Sequence, residues 1–500
     1  MTKRKLVSAA IGLWLSGTTA LAGGILTNTN QSIDFLINPA RNAAIGLDGV
    51  YSNPAGVVFM PQGFHLGINW QIAHQTRTIT STNPLFALGK RNDGSNTKTF
   101  EGVADARCVP SVQMAYNTGN WSFQFNFSMP GGGGICEFEN GIGSFESAIG
   151  MIAHELAPLG AEGYDANVYV RGRQYYFGFQ LGAAYKINEH WSVYGGLRAL
   201  YGDASYKARM TNIQVKMTNP GGEPYYVDFD QFLNSSIADI NKKLGQAELA
   251  YQMGMYTQEQ YMAVKAQADA VLGQLDPLEK YSQGVNLMSI QTGFGVAPII
   301  GVDFRTGAFN FAAKYEFKTR MKMKNHSTLD KATEIEALNK FKDGTEVDED
   351  QPALLSVGAQ WSIIPNLRAN VGYHHYFDKS AHWYQHAEKK LGGDTNEYLF
   401  GAEWDINKKL TIGSGMQFTR YQLTDDYMND MSFVVSSYSF GLGFKYKITD
   451  HIKVKAGYFQ TNYEDYDKVT QADPATGAVV IGDTFTRTNK VFGLGVDVTL

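Results

Sequence analysis

Apolar side chains recur at every second position in segment after segment of this chain. At its C-terminal end, Phe492, Leu494, Val496, Val498 and Leu500 share one parity, and Gly493, Gly495, Asp497 and Thr499 share the other. Alternate side chains of a β-strand point to opposite faces, so the segment is apolar on one side and small or polar on the other. The same two-sidedness marks Phe64–Ile72, Trp121–Ser128, Tyr175–Lys186, Leu410–Phe418 and Val434–Ile448. A soluble sheet buries such an apolar face, whereas a membrane barrel turns it to lipid.

The connections decide between the two. Tight turns at Thr118-Gly119-Asn120, Asn188-Glu189-His190, Arg305-Thr306-Gly307, Pro365-Asn366, Asn407-Lys408 and Thr449-Asp450 alternate with much longer stretches, the longest at 218–285. Short turns at one end and long loops at the other are the habit of outer-membrane barrels, with the short ones periplasmic. The pattern predicts strands over 63–80, 107–117, 121–130, 167–187, 191–217, 286–304, 308–326, 351–363, 367–379, 397–406, 409–424, 432–448, 452–465 and 485–500. That makes an all-β fold, a transmembrane antiparallel β-barrel of 14 strands spanning residues 63–500. Trp121, Trp191, Trp361 and Trp404 stand on the lipid parity close to short turns, where an aromatic girdle belongs.

Composition and the N-terminal residues add a compartment. Lys3, Arg4 and Lys5, the apolar run Leu6–Leu15 and Ala20-Leu21-Ala22 read as a cleaved export signal over 1–22. Its removal takes the formal net charge from −5 to about −8, which gives no hint of nucleic acid as a partner. Gly is abundant at 53 residues and charged residues are sparse at 18%, and after residue 22 no run of apolar residues is long enough for a spanning helix. The expected location is the bacterial outer membrane, the expected state a monomer among outer-membrane lipid and lipopolysaccharide. No cofactor or metal is implied.

Residues 23–62 precede the first strand and do not alternate. They hold two related turns, Asn38-Pro39-Ala40-Arg41 and Asn53-Pro54-Ala55-Gly56, with Arg41 and Asp48 as possible salt-bridge partners. A barrel of this width must be open or plugged, and a folded segment of this length suits a plug. The run Gly46-Leu47-Asp48-Gly49-Val50-Tyr51-Ser52-Asn53-Pro54-Ala55-Gly56 resembles the hatch motif of the FadL long-chain fatty-acid transporters. The resemblance implies passive uptake of hydrophobic molecules through a barrel closed by an N-terminal hatch. It also implies a sideways opening at a kink in the third strand. Here Met129-Pro130-Gly131-Gly132-Gly133-Gly134 lies where that strand ends: Pro lacks an N–H for the ladder and glycines offer no packing. The segment is either the edge of a lateral gate or a flexible lead into an extracellular loop.

The loop 218–285 carries apolar residues at helical spacing from Phe229 to Leu275. Its helices either present a greasy capture groove, as the family implies, or cap the barrel. Lys186, Arg198, Lys314, Lys318, Arg368, Lys445 and Lys453 fall on the lumen parity. Lys314, Arg198 and Arg368 are the candidates to meet a ligand carboxylate, with pairing to Glu316, Glu403, Asp497 or the hatch as the alternative. Cys108 heads the second strand at its outer end and Cys136 lies just past the third, so a disulfide is expected there. His374, His375, His382 and His386 cluster with aromatic residues, but neighbours on a strand point opposite ways and cannot share a metal. Three functions remain open: a hydrophobic-substrate transporter, a general diffusion porin, and an outer-membrane lipid-modifying enzyme. A large steady ionic current marks the second, and lipid turnover the third.

Overall fold

The computed structural model describes residues 27–275, 278–282, 284–330 and 336–500. The expected export signal, 1–22, and the first residues of the expected hatch lie outside them. Fourteen strands close an antiparallel barrel: β1 (Gly63–Thr82), β2 (Thr97–Thr118), β3 (Trp121–Phe138), β4 (Gly163–Lys186), β5 (Trp191–Thr218), β6 (Val285–Thr306), β7 (Phe309–Glu316, resuming Lys322–Asp330), β8 (Glu346–Asp348, then Leu354–Ile364), β9 (Leu367–Tyr376), β10 (Thr395–Asp405), β11 (Leu410–Arg420), β12 (Ser437–Lys447), β13 (Ile452–Tyr463, then Tyr466–Ala472) and β14 (Val479–Thr499). A short strand, Pro224–Asp228, doubles back on the outer end of β5. Each strand pairs with the next in sequence, and β14 closes on β1 from His65↔Thr499 to Thr82↔Gly482.

The alternation of the sequence becomes two surfaces. Phe492, Leu494 and Val496 point outward with Ile68, Leu181, Phe294, Phe400 and Leu442, while Asp497 and Asn489 point in and are buried. Trp121, Trp191, Trp361 and Trp404 are each nearly half exposed on the outer wall near the short turns. An apolar exterior over a polar interior is the arrangement lipid selects, since every backbone group of the wall is satisfied by closure.

The interior is filled. Helix α1 (Ile33–Ile37) starts at Ser32, whose Oγ accepts from the Phe35 N–H at 3.1 Å, and stops because Pro39 forces Asn38 into an extended conformation. Its apolar face, Ile33, Leu36 and Ile37, packs against Leu399, Phe459 and Val491 of the wall. The strands make room with glycine: a Cβ at Gly441 would strike the Leu36 carbonyl, and one at Gly493 the Ile33 side chain. A second turn, α2 (Gly49–Ser52), and the tight turn Gly56–Phe59 complete the plug, with Val50, Val57 and Val58 buried.

A larger apolar core lies at the long-loop end. There α3 (Gly143–Glu155) brings Phe145, Ile149 and Ile152 against Phe86, Phe100 and Tyr164, continuous with Trp383, Phe433 and Phe485. The helical stretch of the longest loop is a hairpin, α4 (Phe229–Gln252) and α5 (Gln258–Leu275). Its base is buried through Phe229, Phe232, Leu233 and Leu275, while Leu249, Met253, Met255 and Met262 at its tip are exposed.

Candidate functional site: the hatch, the wall break and the lumen charges

The plug is held by two buried charge clusters. In the first, Arg41 donates to Asp48 at 2.8 and 3.0 Å and to Glu403 of β10 at 2.7 Å. Lys445 of β12 reaches both Glu403 and Asp34 of α1 at 2.7 Å, and Lys455 of β13 joins Asp34 to Asp497 of β14, each at 2.7 Å. Burial alone would raise the Asp34 carboxyl, but Lys445 and Lys455 beside it hold it well below the usual carboxylate range. In the second cluster, Arg198 of β5 and Lys314 of β7 share Glu316, and Lys314 Nζ donates to the Tyr51 carbonyl at 2.7 Å. Both cations stand over the Tyr51 ring, at 4.8 and 4.7 Å from its centroid.

The two Asn-Pro turns are bonded to the wall in their turn. Asn38 Nδ2 donates to Asn370 at 3.0 Å, and Asn53 Nδ2 to Asp303 at 2.7 Å. The Pro54 carbonyl accepts from Gln124 at 2.8 Å and the Ala55 carbonyl from Ser192 at 2.7 Å. Gly56 sits so close to Asn53 and Asp303 that a Cβ there would strike both side chains. Pro39 lies against Gly415.

These contacts accord with the second of the two readings open for the lumen cations, pairing within the barrel. Lys314 and Arg198 both pair with Glu316, and Arg368 pairs with Asp405 at 2.6 and 2.9 Å. Parity read their direction from the sequence; the hatch, which has no period to read, adds the Tyr51 carbonyl. Asp34 and Lys455, which sequence reasoning did not single out, are as central to the network as Arg41.

The wall is interrupted between β2 and β3. The two strands pair from Thr118↔Trp121 to Val112↔Phe127, then again only at Ala104↔Cys136 and Val103↔Glu137. In the gap lie Pro130, Gly131, Gly132, Gly133 and Gly134. The β4 side keeps its ladder only with register shifts, and Gly132 and Gly134 take φ of +89° and +74°, a region that favours glycine. A Cβ at Gly132 would strike the backbone of Gln174 and Tyr175. The hatch supplies the hydrogen bonds that β2 does not. Gln31 exchanges two bonds with Met129, each 2.9 Å, and the Asn28 N–H donates to the Pro130 carbonyl at 2.8 Å. On the β2 side, Ser111 and Gln113 donate to the Gln31 carbonyl at 2.7 and 3.0 Å. A cavity of about 80 Å³ opens against this break, lined by Met129, Gly131, Gly132 and Gly134 and, across the lumen, by Phe35, Phe459 and Val491.

The expected disulfide is not formed: both thiols are free, Cys108 exposed and Cys136 buried. Cys136 stands opposite Ala104, four residues along β2 from Cys108. That is roughly 13 Å of strand, beyond a disulfide's reach. A bulge in β2, seen as the register step from Gln71↔Val109 to Ala73↔Ala106, also reverses the strand's parity at Arg107–Cys108. Cys108 therefore leaves the face on which Cys136, opposite Ala104, is packed. His374 and His375 do point apart. His374 bonds the buried Glu397 at 2.9 Å, whereas His375 bonds Asn396 at 2.9 Å.

Closed strand circuit, lipid-facing band and bonded plug define an outer-membrane-type β-barrel with an internal hatch. A family profile for outer membrane protein beta-barrel domains matches residues 332–498. No curated protein matches the chain in sequence. Among solved structures, a Pseudomonas aeruginosa FadL homologue superposes with a TM-score of 0.61 at 11% identity, covering 95% of this chain and 100% of its own. The P. putida toluene transporter TodX superposes at 0.51 with 10% identity, covering 97% of this chain and 99% of its own. The fold is thus that of the FadL-like barrels, and its place is the outer membrane.

Proposed function

We propose that this protein is a passive outer-membrane transporter for hydrophobic small molecules, long-chain fatty acids among the candidates. Ligand enters from the long-loop end, and the β2–β3 break serves as a lateral way out of the lumen. One observation carries the reading: the ladder fails where a cavity meets the wall, and the failed segment is bonded to the hatch rather than to β2. A molecule that partitions into lipid gains by leaving sideways, because each buried CH₂ kept from water is worth about 0.8 kcal/mol. The bonded plug argues against an open diffusion pore. Outer-membrane lipid and lipopolysaccharide are the natural surroundings of the apolar wall, and a single chain holds barrel, hatch and path, which suits a monomer. We read the protein as a transporter rather than an enzyme.

The test is to repair the wall. Replacing Pro130–Gly134 by alternating Thr and Val supplies N–H groups and β-forming side chains. The repaired barrel, shown to be folded by its heat-modifiable gel mobility, is expected to lose protein-dependent transfer of a hydrophobic probe into proteoliposomes. Transfer at the rate of the unaltered protein would refute the lateral path.

A further inference from the structure

A basic patch stands on the outer wall, just beyond the lipid-facing band. On β5 that band runs from Trp191 to Tyr201 and on β4 from Tyr185 to Tyr175, with aromatic residues at both ends. A tilted strand crosses the apolar layer in about 9–11 residues, so the next outward-facing positions lie among the headgroups of the outer leaflet. Those positions hold Arg173, Arg171 and Tyr169 on β4 and Asp203, Ser205, Lys207 and Arg209 on β5. The register is unbroken from Lys186↔Ser192 to Asn167↔Thr211, so all of them share the parity of the exposed Leu181 and Leu197. Arg171 is the direct partner of Lys207, with Arg209 and Arg173 on the diagonals. Side chains so placed start about 5–8 Å apart, and like charges directly opposite repel. Among the described residues, Arg171, Lys207 and Arg209 form no ion pair, whereas Arg173 meets Asp203 at 2.7 Å. The Arg171 Nε makes no hydrogen bond. Glu137, opposite Arg171 on β3, instead accepts from the Tyr169 hydroxyl, and Arg209 lies 6.0 Å from the centre of the Tyr169 ring. On β6 the wall turns apolar again, with Met288, the partner of Lys207, and Ile290 both exposed. Toward the rim lies a cavity of about 570 Å³ whose lining includes Tyr169, Arg209, Asn167 and Arg91.

Three such cations at headgroup depth, between an apolar strip and a polar cavity, fit one occupant of the outer leaflet. We propose that Arg171, Lys207 and Arg209 bind a phosphate of lipopolysaccharide on the outer face of the barrel. The guanidinium groups grip phosphate oxygens in charge-assisted hydrogen bonds and Lys207 adds its point charge. The acyl chains lie along Met288 and Ile290, and the sugars extend into the rim cavity. The bound anion offsets the repulsion between Arg171 and Lys207. A zwitterionic phospholipid carries its own ammonium and offers the patch no net charge, and a free phosphate has no chain for the apolar strip. A site on the outer wall stands apart from the transport path and requires only the outer-membrane location.

Native mass spectrometry of the purified full-length protein with bisphosphorylated lipid A, dephosphorylated lipid A and phosphatidylglycerol tests it. The unaltered protein is expected to hold bisphosphorylated lipid A at least about tenfold more tightly than either other lipid. The triple variant Arg171→Gln, Lys207→Gln, Arg209→Gln, shown to be folded by its heat-modifiable mobility, is expected to lose that preference. The double variant Lys322→Gln, Lys324→Gln removes two exposed cations of β7 outside the patch and is expected to keep it. Equal binding of lipid A with and without its phosphates overturns the site using the unaltered protein alone. An undiminished preference in the triple variant, or its loss in the β7 double variant, overturns the assignment to these residues. Phosphatidylglycerol held as tightly as bisphosphorylated lipid A overturns the choice of lipopolysaccharide, leaving a general anionic-lipid surface.

Discussion

Arg41 shows how a single side chain ties a plug to a barrel. Its guanidinium satisfies Asp48 within the hatch and Glu403 on the wall at once, in a place almost without solvent. Removing one partner of a buried pair leaves the other charge uncompensated, at a cost of about 3–5 kcal/mol. Arg41→Ala is therefore expected to loosen the hatch rather than unfold the barrel, seen as faster amide exchange over residues 33–59 with barrel amides unchanged. Loop docking should respond to acid in the opposite sense from an ordinary salt bridge. Burial and the nearby Asp483 push the Asp430 carboxyl up to about 6, although the Ser144 N–H donates to it at 2.6 Å. Between about pH 4 and 6 the folded state thus holds a proton that the unfolded chain has lost, so stability falls as pH rises through that window and is level above it. Protection of α3 amides is expected to drop between pH 4.5 and 6.5 and to become independent of pH in Asp430→Asn. At this scale the sequence was half legible. Parity told which way Arg198, Lys314 and Lys445 point and offered Glu316 and Glu403 as partners, but Asp34 and the Tyr51 carbonyl belong to the hatch, which has no period to read.

At the scale of the element, the strand positions follow from the alternation, and the departures have a physical cause. β2 begins at Thr97 and β14 at Val479, earlier than the expected 107 and 485. In these outer parts the exposed face is polar, as with Thr97, Thr99 and Glu101, so the lipid signal fades while the ladder continues. The Cys108–Cys136 expectation failed because β3 carries Cys136 past the gap to a place opposite Ala104, and because a one-residue bulge turns Cys108 to the other face; neither leaves a mark in composition. The break in β3 was legible because Pro and Gly cannot sustain pairing. That Gln31 and Asn28 would stitch it to the hatch was not, because the contact spans about a hundred residues of sequence. The glycines facing α1 give a further prediction. Gly441→Val places a branched side chain against the Leu36 backbone, and overpacking of this kind costs about 1–3 kcal/mol. The variant is expected to keep its barrel, by heat-modifiable mobility, and to show raised ion conductance in planar bilayers. An unchanged, silent bilayer would mean that α1 is not what seals the lumen.

At the scale of the whole molecule, a closed wall faces lipid, a bonded plug fills the lumen, and an interrupted seam between β2 and β3 lies beside the plug's first turn. This combination favours molecules that prefer lipid to water at both ends of the route. The proposed function requires it to separate two permeabilities that an open pore would couple. The most direct measurement follows both in one set of proteoliposomes, pairing KCl efflux with transfer of a neutral hydrophobic probe into the bilayer. The expected result is protein-dependent probe transfer with KCl leakage no greater than that of empty liposomes. Rapid KCl leakage, or probe transfer no faster than in empty liposomes, would contradict the account of a plugged, laterally opening transporter.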